Sequence, residues 1–364
     1  MISVHMQPAY HPACSRSCTA FKVMGHAGMR TTGPDGSLII KPAFPAEHRF
    51  YEMLNRDPHL ARLRPFIPKF LGTLESYSGS GSQFLKAEAE AEADSNGFLV
   101  PIPVPPGRTQ SLILENLCSA FVKPNTLDVK LGTVFYDEFM AEDKVLRMER
   151  TARETTSRST GVRLTEFQVY DNVTSEAICV PKSYGKALAV SELPEGIARF
   201  FPVHCEPSSS ALHNGNGAVG PSPSRGLPRK TLIPILRAIR QTVSKIRDVY
   251  ASFEMRMVGG SLLIMYEADW SRAEAGVRRL LASSSSSMPR PIPIPSSGEE
   301  DWDRAHTHRS PSPCVVKLVD FAHTRLAPGE GPDEGVLLGL DTMLKLLDGR
   351  IAQLTAGASE ECTC

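Results

Sequence analysis

Apolar residues recur along this chain with two periods, and the switches between them sketch its elements. Leu232, Leu236, Ile239, Val243, Ile246 and Tyr250 are spaced four, three, four, three, four, which predicts one long helix with that stripe against a core. Arg237, Arg240, Lys245 and Arg247 fall off the stripe and read as its wet face. Residues 334–351 repeat the pattern, with Leu337, Leu340, Leu344 and Leu347 inward, and close the C-terminal part. Residues 143–157 predict a third helix, heavily charged. Shorter apolar runs read as strands: 65–74, 112–117, 161–170, 255–267 and 315–319. Residues 21–40 predict a hairpin, with Gly25-His26-Ala27-Gly28 at one end, Gly33-Pro34-Asp35-Gly36 as its turn and Lys41 after the returning strand.

Between these elements the periodicity lapses. Residues 1–20 read as a flexible leader and 352–364 as a tail. Residues 77–110, 206–227 and 282–313 are rich in Ser, Gly, Pro or alternating Ala-Glu and predict disordered insertions. The 27 Gly and 29 Pro in 364 residues agree with long loops. Length permits one large domain or two lobes facing a cleft. Lys plus Arg and Asp plus Glu number 40 each, so no overall charge points to nucleic acid or a membrane surface, and any anion site rests on local clustering.

Eight scattered cysteines form no disulfide framework, and neither Cys14/Cys18 nor Cys362/Cys364 has partners at zinc spacing. His306 and His308 are spaced for metal but sit in polar sequence with no completed ligand set. No signal-peptide core and no apolar run of about eighteen residues is present. The expectation is a soluble protein with reduced thiols, in nucleus and cytoplasm.

The candidate chemistry lies at Pro124-Asn125-Thr126-Leu127-Asp128-Val129-Lys130-Leu131-Gly132, a P-x-x-x-D-x-K-x-G run following the apolar stretch Leu112–Leu117. In an extended segment, side chains two apart share a face. Asp128 and Lys130 therefore stand side by side, with Val129 turned to the core. An acid and a base so fixed suit a site holding a hydroxyl and a phosphate. Downstream, Val315–Asp320 is a strand ending in an acid, continued by Phe321-Ala322-His323.

These stretches resemble the inositol polyphosphate kinase family, and Asp128 to Asp137 is most similar to its multikinase branch. Supporting stretches run from Gly25 to Leu344. Asp320-Phe321-Ala322-His323 resembles the family's variant of the kinase D-F-G; Met255 to Glu267 resembles its S-S-L-L strand, with Gly260 in place of the first Ser; Tyr184-Gly185-Lys186 resembles its Y-G-R/K turn. The fold implied is α+β and two-lobed, kinase-like (related to protein kinases and ATP-grasp), with antiparallel sheets in both lobes. It places an N-lobe at 21–117 and a C-lobe at 118–351, with an inositol phosphate-binding helical segment at about 138–200.

The function implied is ATP-dependent phosphorylation of soluble inositol polyphosphates, from the trisphosphate to tetrakis- and pentakisphosphates, with ATP and Mg²⁺ as cofactors. The alternatives are a hexakisphosphate kinase forming pyrophosphates, or a non-catalytic adaptor retaining the fold for nuclear protein partners. Within the resemblance, Lys41 contacts the α/β-phosphates, Glu115, Asn116 and Leu117 form the adenine hinge, and Asp320 holds Mg²⁺. Asp128 either binds the ATP ribose or accepts the proton of the substrate hydroxyl, and both roles stay open. Lys130 faces the substrate and the moving phosphoryl group. His323, Lys182, and Lys144, Arg147 and Arg150 on one arc of the charged helix contact the inositol phosphate, and Ser261 sits near metal or phosphate. The family usually carries a second acid where Arg49 stands, which leaves the partner of Lys41 open between Glu47 and Glu52. No H-R-D-L-x-x-x-N, A-P-E or G-x-G-x-x-G motif supports a protein kinase.

Overall fold

The computed structural model describes residues 29–33, 36–77, 108–137, 140–204, 226–285 and 312–360. Two antiparallel sheets organise it. The first joins β1 (Arg30–Thr32), β2 (Leu38–Pro42), β3 (Phe70–Tyr77) and β4 (Arg108–Glu115) in the order β1-β2-β4-β3. The second joins β5 (Pro124–Leu131), β6 (Val162–Tyr170), β7 (Ala177–Val180), β11 (Ser261–Glu267) and β12 (Cys314–Val319) in the order β12-β11-β5-β6-β7. An antiparallel ribbon of β10 (Met255–Val258) and β13 (His323–Leu326) stands beside it, and β8 (Val203–His204) and β9 (Leu227–Pro228) make a short parallel contact.

The P-x-x-x-D-x-K-x-G segment is β5, the central strand of the second sheet. Its alternation sends Leu127, Val129 and Leu131 into the core, all fully buried. They join α6 (Arg229–Tyr250), whose six stripe residues are also fully buried. Removing six such side chains from water contributes on the order of 10 kcal/mol before chain entropy is set against it. Helix α8 (Glu334–Glu360) covers the same core through Leu337, Leu340, Met343, Leu347 and Leu354.

Several expectations are corrected here. Leu344 is only partly buried, because the inward stripe of α8 shifts to Met343. The helix does not end at residue 351: Leu354 is buried, its carbonyl accepts from Arg229 Nη1 at 3.2 Å, and the tail is helical to Glu360. Arg240 and Arg247 are not merely solvated; each makes a two-pronged ion pair with α8, to Asp348 and Asp341. The strand paired with Leu38–Ile40 is Arg30–Thr32, and Gly33 leaves it at φ 94°, a backbone that favours glycine. Cys179 is disulfide-bonded, whereas Cys118 and Cys314 are free thiols. The leader, the Gly25–Gly28 loop, His306, His308, the terminal cysteine pairs and most of the three insertions lie outside the described residues. Among the described residues no helix is long and apolar enough to cross a membrane.

The two sheets meet through one aromatic cluster. Helix α1 (Pro45–Arg56) buries Phe50, Tyr51 and Leu54 beside Ile39 and Leu112 of the first sheet. Phe321, directly after β12, stacks on Phe50 with ring centroids 4.4 Å apart and meets Tyr51 edge-on at 5.8 Å. A residue adjoining Asp320 is thus a wedge in the core behind the other sheet. Lys317 Nζ adds hydrogen bonds to the carbonyls of Pro65 and Ile67, at 2.9 and 3.2 Å.

Candidate active site

Three side chains far apart in sequence converge between the sheets. Lys41, on β2, donates to Glu47 Oε1 at 2.9 Å and lies 3.5 Å from Asp320 Oδ1. Lys130, on β5, donates to Asp320 Oδ2 at 2.9 Å and to the Gly259 carbonyl at 2.8 Å. Asp320 thus sits between two ammonium groups, one from each sheet. The choice for Lys41 falls on Glu47, which is buried; Glu52 instead faces Arg56 at 3.5 Å and His48 at 3.7 Å. Burial alone would lower the pKa of both lysines, but the carboxylates outweigh it: Glu47 and Asp320 raise Lys41, and Asp320 and Asp128 raise Lys130.

The backbone explains how Asp320 reaches both. Its φ is 68°, in the left-handed region that only Gly enters freely and that Asp tolerates better than most residues. Holding it there costs on the order of 1–2 kcal/mol, offset by the two ion pairs and by the burial of Phe321. At the end of β5, Gly132 has φ 100°, so the last position of the motif needs glycine for conformation. Gly185 answers to packing instead: a Cβ there would lie 1.6 Å from the Leu164 carbonyl oxygen of β6.

Lys41, Glu47 and Asp320 line a narrow cleft together with Ile39, Tyr51, Leu114, Glu115, Asn116, Leu117, Cys118 and Val319. The expected hinge residues are therefore on its wall. The side chains of Glu115 and Asn116 are occupied structurally: Glu115 accepts from the Lys69 amide at 2.9 Å, and Asn116 bridges the Gly36 carbonyl and the Cys118 amide. Around Asp320, three buried polar atoms have no hydrogen-bond partner: Glu47 Oε2, Asp128 Oδ1 and Ser261 Oγ. Ser261 stands in register between Lys130 and Val319. Unpaired acceptors and a hydroxyl around a carboxylate held by two lysines are a donor set for a cation with its phosphate ligands. No group of three or more acidic, His or Cys side chains forms a metal cage among the described residues. A cation here would take one protein carboxylate and oxygens from its phosphate partner.

The other predicted residues surround this centre unequally. His323, on β13, contacts Asp137 Oδ2 through Nδ1 at 3.0 Å, which ties the end of the β5 flank to the segment after Asp320. Lys144, on α2 (Glu142–Glu154), is near enough to Asp137 to feel its charge; desolvation and Arg147 lower its pKa. Arg147 and Arg150 are exposed and line a shallow depression with Asp143, Leu146, Arg153 and Glu154, a different surface from the cleft. Lys182 opens α4 (Lys182–Ala187) and lies 4.0 Å from Glu166 Oε1.

Two residues that sequence reading passed over belong to this face. Arg163 pairs directly opposite Lys130, is 9 % exposed, leaves Nη1 without a partner and stands over Phe135 at 5.5 Å. Desolvation lowers its pKa against the pull of Asp128. Glu166 lies on the same strand, where burial pushes its carboxyl up to about 7. The available signal was charged residues within a strand otherwise destined for burial on both faces.

Comparison with known proteins adds independent evidence. A family profile described as inositol polyphosphate kinase matches residues 111–348. The inositol polyphosphate multikinase of Saccharomyces cerevisiae is 32% identical over 361 aligned positions, covering 89% of this chain and 96% of that one. Inositol hexakisphosphate kinase 3 of Homo sapiens is 27% identical over 258 positions, 66% of this chain but 51% of its own length. The crystal structure of inositol phosphate multikinase Ipk2 from S. cerevisiae, in complex with ADP and Mn²⁺, superposes with a TM-score of 0.55 at 25% identity, covering 86% of this chain and 98% of that one.

Proposed function

The chain belongs to the inositol polyphosphate kinase family, and from that premise we propose how it works: it transfers the γ-phosphoryl group of ATP to hydroxyls of soluble inositol polyphosphates, from the trisphosphate upward. The observation that carries this reading is the convergence of Lys41 and Lys130 on Asp320, from 279 and 190 residues away in sequence. Phosphoryl transfer needs positioning and neutralisation of charge more than covalent chemistry, and two lysines flanking a carboxylate supply both.

In this reading the two sheets are the two lobes of a kinase, with the nucleotide in the cleft between them. Leu117, Cys118 and Val319 give the base an apolar wall, and Lys41, oriented by Glu47, meets the α/β-phosphates. The cation would be Mg²⁺, held by Asp320 with Ser261 beside it, and it would supply neutralisation of phosphate charge. That the yeast relative was crystallised with ADP and Mn²⁺ supports the use of a nucleotide and a divalent ion. Lys130, held by Asp320 and the Gly259 carbonyl, faces the group in transfer. Asp128 stands beside it with Oδ1 unpaired, available to a ribose hydroxyl or to the acceptor hydroxyl.

The test is an incubation of purified protein with Mg-ATP and inositol 1,4,5-trisphosphate, read by chromatography. Lys130→Ala should abolish product while the chain still folds and melts cooperatively, at a lower temperature because Asp320 loses one of its two ion pairs. Equal activity in that variant would remove the mechanism, and a wild type that binds ATP without making product would favour an adaptor.

A further inference from the structure

Glu166 occupies an unusual place in β6. Leu127 of β5 pairs with Phe167 and Val129 pairs with Leu164, so two residues, Thr165 and Glu166, oppose the single residue Asp128. This is a β-bulge, a device that re-aims side chains beside functional sites. Leu164 and Phe167 both point into the core, which turns the two intervening residues toward Asp128. Thr165 spends its hydroxyl on the Asp128 carbonyl at 2.9 Å. Glu166 is left on the Asp128 side of the sheet, its side chain 16% exposed and its Oε1 buried without a hydrogen-bond partner. The nearest cation, Lys182 Nζ, is 4.0 Å away, and the charges of Lys130 and Asp128 also reach it.

A carboxylate in a site built for phosphates needs a reason. Lys130, Arg163 and Lys182 offer only donors, as phosphate oxygens require. Glu166, when ionised, offers only acceptors. A phosphate group placed against it meets like charge, whereas a ring hydroxyl supplies the donor that its buried oxygen lacks. We propose that Glu166 determines which inositol phosphates the site accepts, by taking a hydrogen bond from a free ring hydroxyl and excluding a phosphate from that ring position. The inference rests on the inositol phosphate kinase reading and adds to it a residue that selects among substrates of equal charge.

Isomeric inositol tetrakisphosphates provide the test, because they carry the same number of phosphates and differ only in which ring positions are free. The kcat/KM of the full chain would be measured for each isomer, in wild type and Glu166→Gln, with Glu166→Ser as the second variant in case the first fails to fold. The expected result is an unequal response, with the variant-to-wild-type ratio differing tenfold or more between isomers. A uniform change across isomers would show that Glu166 acts only on overall charge or on the position of Lys182, and would overturn the proposal. So would no change at all. A wild type inactive on every inositol phosphate, including the trisphosphate, would instead defeat the kinase reading itself.

Discussion

The inner and outer parts of this site are built on different principles. Lys41, Lys130 and Asp320 are largely buried, held in strand register or against an aromatic wedge, and each has a partner within 3.5 Å. Lys144, Arg147 and Arg150 project from a helix whose outer face is solvated, and Lys182 is 38% exposed. The inner group has one geometry available and the outer group many. Changes inside should therefore act on kcat, and changes outside on KM and on substrate choice.

The largest expected effect comes from the shared carboxylate. Asp320→Asn should lower kcat by about 10³-fold, the scale of losing a principal charge-stabilising group in phosphoryl transfer, with KM for the inositol phosphate little altered. A steady-state assay over both substrates checks it, and a change confined to KM would erase the distinction between inner and outer groups. Next comes the wedge. Phe321→Ala removes a fully buried ring stacked on Phe50 and should cost about 3–5 kcal/mol in urea denaturation. Activity should fall further than stability explains, because Asp320 loses what holds its left-handed backbone.

The outer group gives smaller numbers. Lys144→Ala should raise KM for inositol trisphosphate by about tenfold, one charge-assisted contact of roughly 1.5 kcal/mol, while Arg150→Ala should stay within about twofold. Equal effects from the two would mean that the arc acts as one diffuse field. The smallest effect concerns pH. Burial raises the Glu166 pKa to about 7 from an ordinary value of 4.5, so the fold favours its neutral form. That stabilisation is complete below about pH 4.5 and is lost as pH rises through about 7. Glu166→Gln cannot ionise, so it should gain about 1 kcal/mol over wild type between pH 5 and pH 8, a figure discounted because the carboxyl retains solvent contact. Thermal melts at the two pH values would show it, and a gap that does not widen at the higher pH would contradict the burial of this side chain.

Much of the inner group was legible because strand geometry has a two-residue period: Asp128 and Lys130 had to share a face, and Val129 had to turn away. The stripe of α6 was legible for the same kind of reason. The partner of Lys41 was not, since Glu47 and Glu52 both lie on the following helix and only the docking of α1 decides between them. Arg237 and Lys245 are exposed as expected, but the ion pairs of Arg240 and Arg247 were not legible because their partners come from α8, about a hundred residues later. Arg163 was missed because only strand pairing sets it opposite Lys130, and Glu166 because a bulge exists only relative to the neighbouring strand and no spacing within 161–170 announces it.

By itself, the sequence determined what is local and periodic: which residues face the core along a helix or strand, where glycine must relieve the backbone, and which acid and amine are neighbours. Tertiary structure alone decided what joins strands and helices remote in the chain, namely the sharing of Asp320 by two lysines, its left-handed turn, and the carboxylate of Glu166 among cations. Side-chain periodicity is fixed by backbone geometry over a few residues. Pairing across sheets is fixed by the packing of the whole core, which no short window of sequence contains.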